Sequence, residues 1–173
     1  PRNSFFSILG LVIFMIASVS LTYIYVEKFT SIIYFSKGLN DKNNTAVEIL
    51  GNAENMLSKA ITLDKNDVYY RTLSQIYLNE INILISSKDV TEDTLKSELQ
   101  QLINLAQGSA EQAVAQNPKQ YLNYTNLGNI YTSLVPLSVT NSYESAMAAY
   151  NQASVLAPNN PSIVLAKATL EYI

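Results

Sequence analysis

Apolar and polar positions divide this chain into two unlike parts. From Ser4 to Val26 no residue is charged, and Phe5–Val26 (FFSILGLVIFMIASVSLTYIYV) supplies about the 20 apolar residues that a helix needs to span a bilayer core. Phe5 and Phe6 at one end, and Tyr23 and Tyr25 at the other, suit the interfacial layers where aromatic rings gather. Beyond Glu27 and Lys28, Phe29, Ile32, Ile33 and Phe35 recur at near-helical spacing. The helix is therefore predicted to run on as an amphipathic segment to about Lys37, with Gly38 as its C-cap. Residues 1–37 are read as this N-terminal helix (apolar over 5–26), 38–45 as a linker, and 46–173 as one helical domain.

Within that domain one layout recurs. A small residue is followed four positions on by a second residue and seven positions on by Ala, and a break comes next. Ala53, Leu57, Ala60 and Asp64 form one instance, Ala106, Ala110, Ala113 and Pro118 the next, and Ala146, Tyr150, Ala153 and Pro158 the last. A further helix is predicted after each break. The first carries Tyr70, Leu73, Ser74 and Tyr77, the second Tyr124, Leu127, Gly128 and Tyr131, and the third Val164, Lys167, Ala168 and Glu171. Small residues let paired helices approach closely, and stacked pairs share a core that no single pair can close. Asn160 followed by Pro161 is a good helix start, with the cap residue first and proline at the first helical position.

Two stretches depart from the repeat. Residues 78–105 are longer than the layout requires and are predicted to extend both helices of one pair. Thr91 is the expected cap of the second, with Glu92 and Asp93 suited to the positive end of its dipole. Residues 135–140 (VPLSVT) form an irregular insert, begun where Pro136 stops the preceding helix. The insert is apolar for a loop, which points to a contact surface.

The order aromatic-x-x-Leu-Gly-x-x-Tyr, Ala-x-x-x-aromatic-x-x-Ala, Pro, fullest from Tyr124 to Pro158, resembles the tetratricopeptide repeat (TPR) of about 34 residues. The resemblance covers about Ala46 to Ile173 and departs where Asp64 replaces the proline and Lys167 a leucine. It implies an all-α fold: a transmembrane-like N-terminal helix followed by a TPR α-solenoid of about three antiparallel helix pairs. An apolar helix running into YYRTLSQIYL and then NYTNLGNIYTSLVPLSVTNSYESAMAAYNQASVLAPNNP further resembles the TPR region after the last membrane helix of O-antigen ligase-like bacterial envelope proteins. The resemblance implies a protein-protein interaction or scaffold module, non-catalytic in this chain, with a binding groove on the first helices of the pairs. By register that groove presents Arg71, Gln75, Asn79, Thr125, Asn129 and Thr132. It lacks the Lys/Arg/Asn clamp with which some TPR proteins hold a terminal carboxylate.

Composition narrows the chemistry. The 173 residues contain no Cys, His or Trp, so thiolate nucleophiles, imidazole bases and tetrahedral zinc sites are excluded, and no cofactor or metal is expected. Apart from Arg2, ten basic residues stand against fourteen acidic ones, with no basic stripe for nucleic acid. Glu92 and Asp93, adjacent on a helix, do not face one another as an acid pair. Asn43-Asn44-Thr45 and Asn123-Tyr124-Thr125 match the glycosylation tripeptide, a match that chance supplies in so Asn-rich a chain.

The apolar run exceeds the roughly 7–15 residues of a signal-peptide core and lacks a cleavage site, which favours a retained membrane helix. Arg2 flanks one end and Lys28, Lys37 and Lys42 the other, so charge bias leaves both orientations open. Three readings follow. The chain is a scaffold anchored in the bacterial envelope, its repeat domain extracytoplasmic; or a subunit of a surface fibre with the apolar helix in the core; or the accessory TPR region of an O-antigen ligase-like enzyme. Its partners are then a protein or sister copies, with lipid or sister helices against residues 5–26.

Overall fold

The structure is a computed structural model that describes residues 2–39, 46–87 and 91–173. It is all-α, with no strand among the described residues. Helix α1 spans Arg2–Leu39, α2 Ala46–Leu63, α3 Asp67–Ser86, α4 Glu92–Gln116, α5 Tyr121–Leu134, α6 Ser142–Leu156 and α7 Pro161–Glu171, with a 3₁₀ turn at Val135–Leu137. The most extensive packing joins α1 to α2, α3 to α4 and α5 to α6. The apolar helix is thus itself the first member of the first pair, and α7 packs against α6 and α5.

Ala53, Leu57, Ala60, Ala106, Ala110, Ala113, Ala146, Tyr150 and Ala153 are all buried, so the recurring small-residue layout marks the helix faces that pack. One core lies under the long hairpin, where Leu57, Leu73, Ile76, Tyr77, Ile81, Ile103, Ile130 and Leu134 meet. A second joins Ala146, Tyr150 and Ala153 of α6 to Ile163 and Leu170 of α7. Between the pairs, Asn66 and Asn160 cap α3 and α7 by accepting from the amides of Val68 (2.9 Å) and Ser162 (3.0 Å). Thr91 has the extended backbone of a cap, but its hydroxyl donates to Thr94 Oγ1 at 2.8 Å instead of capping an amide.

α1 differs from expectation in two ways. Gly38 keeps a helical backbone and helix geometry continues to Leu39, so it is not a C-cap. A Cβ there would come within 3.0 Å of Leu57 Cδ1 and 3.3 Å of the Ala53 carbonyl oxygen, so its smallness serves the close approach of α1 to α2. The apolar residues after Glu27 also divide between two faces. Phe35 stacks on Tyr69 with ring centres 4.8 Å apart, and buried Ser31 bonds the Tyr69 hydroxyl at 3.1 Å, whereas Phe29, Ile32 and Ile33 are exposed.

The large apolar side chains from Ile8 to Val26 are exposed around the helix. Ile8–Leu39 is one helix long and apolar enough to cross a membrane. Two of its hydroxyls are met internally: Ser18 donates to the Phe14 carbonyl at 2.8 Å and Thr22 to that of Ser18 at 2.9 Å. A hydrocarbon surrounding requires such internal pairing.

The 135–140 insert folds inward. Leu137 and Val139 pack against the core of the α3–α4 hairpin, so its apolar character serves an intramolecular contact. Ser138 and Asn141, both with left-handed backbone (φ 55° and 61°), turn the chain into α6.

Candidate binding groove

α3, α5 and α7 lie side by side and form the lining of a groove with two depressions. One, of about 380 Å³, is lined by Arg71, Thr72, Gln75, Leu122, Thr125, Asn126 and Asn129. The other, of about 310 Å³, is lined by Asn129, Thr132, Ser133, Tyr150, Ser162, Leu165, Ala166 and Thr169. Asn129 belongs to both. Of the positions expected from register, Arg71, Gln75, Thr125, Asn129 and Thr132 come together here. Asn79 is exposed farther along α3 and lines neither depression.

Beneath the first depression, amides tie α3 to α5. Arg71 Nη1 donates to Asn123 Oδ1 and lies 3.7 Å from Asp67 Oδ2. Asn123 Nδ2 lies within hydrogen-bond distance of Asp67 Oδ2 (2.9 Å) and the carbonyls of Ala113 (3.0 Å) and Asn117 (3.1 Å). One turn on, Gln75 Nε2 donates to Asn126 Oδ1 at 2.6 Å and Asn126 Nδ2 to Ser74 Oγ at 2.8 Å. Arg71 and Gln75 thus face the groove while already holding neighbouring helices in register. Asn123 is fully buried, so in the folded chain it is a structural amide rather than an accessible glycosylation acceptor. Asn43 lies outside the described residues.

The second depression depends on Tyr150. Its ring is buried against α5, while its hydroxyl donates to Asn129 Oδ1 at 2.8 Å and lies 2.9 Å from Thr132 Oγ1. Burial raises the phenol pKa, an effect that the Thr132 contact partly offsets. Tyr150 is therefore both a packing residue, as its spacing implies, and a support for two groove side chains. Register did not mark Tyr150, Asn123 or Asn126 as groove supports, because each acts through a partner on another helix.

α7 also corrects the expected pattern. Ile163 and Leu170 are its buried residues, whereas Val164 is 66% exposed. On α5 the equivalent of Val164 is Tyr124, which packs against α6 and α7. No helix covers that face of α7 among the described residues.

No protein-family model and no curated protein matches this chain. Among solved structures it is similar to the TPR domain of Arabidopsis OM64, with a TM-score of 0.58 and 20% identity over 84% of this chain and 98% of that one. The fold is a TPR-like helical repeat. That likeness agrees with α3–α4 and α5–α6 as successive helical hairpins.

Proposed function

We propose that this chain is a non-catalytic protein-binding or scaffold module, held in the bacterial cell envelope by α1, and that the groove on α3, α5 and α7 receives an extended segment of a partner protein. The observation that carries this reading is the pair of adjoining depressions sharing Asn129, built on helices that buried amides hold in fixed register. Uncharged donors and acceptors dominate the lining, which suits main-chain groups and neutral polar side chains. The extracytoplasmic side, and an O-antigen ligase-like parent, are what the sequence resemblance adds.

Peptides selected from a display library against the full chain in lipid nanodiscs test the groove. Asn129→Ala is expected to weaken selected binders at least about tenfold, near 1.4 kcal/mol. Gln152→Ala, on the exposed face of α6, should leave them unchanged. Binders indifferent to Asn129→Ala but sensitive to Gln152→Ala would refute the assignment.

A second reading is favoured by Phe29, Ile32 and Ile33, which stay exposed beyond the charges of Glu27 and Lys28. Sister α1 helices would cover that stripe as well as the apolar run, as in the core of a fibre.

A further inference from the structure

The direction of α1 determines which end of the repeat domain lies nearest the bilayer. α1 leaves its uncharged run at Glu27 and Lys28, and Ser31 already bonds Tyr69 at the start of α3. Four residues of helix separate Glu27 from Ser31, a rise of about 6 Å. That is comparable with the depth of one headgroup layer, roughly 5–8 Å.

α2 runs back along α1. Gly38 lies against Ala53, Met56 and Leu57, and nearer the bilayer Lys59 Nζ lies 6.0 Å from the centre of the Tyr34 ring. The turn after α2 therefore returns toward the level of Ser31. Asp67 at the start of α3, Ala113 and Asn117 at the end of α4, and Asn123 at the start of α5 are joined by hydrogen bonds, so the α4–α5 turn lies at the same end. The antiparallel α5–α6 hairpin brings the α6–α7 turn to that end too. The three short connections, 64–66, 117–120 and 157–160, thus form one edge on the α1 exit side.

Charge separates this edge from the opposite end. At the edge Glu27, Asp64 and Asp67 are balanced by Lys28, Lys65 and Arg71, leaving Lys59 and Lys119 in excess. Toward the opposite end Glu80, Glu92, Asp93, Glu98, Glu144 and Glu171 outnumber Lys37, Lys96 and Lys167 among the described residues. Lys59, Lys65 and Lys119 are exposed, as are Val68 and Leu122 in the first turns of α3 and α5.

We propose that this edge rests on an anionic lipid surface, with Lys59, Lys65 and Lys119 toward the headgroups and the acidic end directed away. The proposal depends on α1 spanning the bilayer, as the proposed function holds. Near such a surface each lysine is attracted over about one Debye length, whereas the acidic end is repelled. Since α3 starts beside α1 and runs away from the bilayer, a segment crossing α3, α5 and α7 lies along the membrane plane.

The chain has no cysteine, so single-cysteine variants place a fluorophore unambiguously. The full chain is reconstituted in phosphatidylcholine vesicles containing phosphatidylglycerol, carrying spin-labelled lipids as quenchers. Gln116→Cys, at the end of α4 on the edge, is expected to be quenched by a headgroup spin label several-fold more than Ser97→Cys near the other end of the same helix. Val19→Cys should be quenched by an acyl-chain label. Quenching at Val19→Cys with no difference between the other two would overturn the edge placement and leave the anchor standing. Absence of quenching at Val19→Cys would overturn both.

Discussion

A Cβ atom added to Gly128 would lie 2.4 Å from Cε1 and 2.6 Å from Cδ1 of Tyr150, so the Tyr150 ring rests directly on the backbone of α5. The ring is 1% exposed and its hydroxyl is held by Asn129 and Thr132, which leaves it little room to withdraw. Gly128→Ala is expected to destabilise the domain by about 1–3 kcal/mol through overpacking, despite the better helix propensity of alanine. Gly108, also within a helix, has nothing within 4 Å of its added Cβ. Gly108→Ala should therefore stabilise by up to about 1 kcal/mol. Denaturant melts of the two variants should shift in opposite directions; shifts of the same sign would refute this account of Gly128.

Asn123 ties α5 to α3 and α4, and its loss removes the bonds to Asp67, Arg71 and the Ala113 and Asn117 carbonyls, although those carbonyls still accept from the Asn117 and Gln120 amides. Asn123→Ala is expected to cost roughly 1–3 kcal/mol in all, for the lost hydrogen bonds and the emptied buried site. Hydrogen exchange should then quicken at the start of α5 and the end of α4 together. A neutral effect on both stability and exchange would show that the amide network does not hold the repeats in register.

Glu80 gives a pH test. Burial, with Glu54 nearby, holds its carboxyl above the ordinary carboxylate value. The folded chain thus favours its protonated form. That contribution to stability is full below the unfolded pKa and is lost as pH rises through the folded one. At neutral pH Glu80→Gln is expected to raise the melting temperature, and the gain should fade as the solution is acidified through the carboxylate range. A gain that is constant with pH would contradict this.

Periodicity carried much of the fold because small residues in close helix packing are a local signal. Ala106, Ala110 and Ala113 mark one buried face of α4 by spacing alone, and all three are fully buried. Side chains with distant partners were not legible. Asn-Tyr-Thr at Asn123 looks like an exposed tripeptide until Asp67, 56 positions earlier, is brought beside it. The faces of α1 near Phe35 were ambiguous because Phe29, Ile32 and Ile33 are also apolar, and Tyr69 decides which face packs. The apolar insert at 135–140 was ambiguous for the related reason that the core against which Leu137 and Val139 pack comes from earlier in the chain. Repeat register put Arg71, Gln75, Thr125, Asn129 and Thr132 on one face, and they do border the two depressions, whereas Asn79 does not. Tyr150 as a support for Asn129 and Thr132 required the packed α5–α6 hairpin.

The central claim is that α1 anchors a discrete, groove-bearing repeat domain in lipid. Electron microscopy of the full chain, purified in detergent and then exchanged into vesicles or left without lipid, tests it most directly. Separate repeat domains projecting from the bilayer in vesicles, with amorphous aggregation when both detergent and lipid are removed, is the predicted result. Ordered helical fibres forming without lipid, with α1 in their centre, would contradict it.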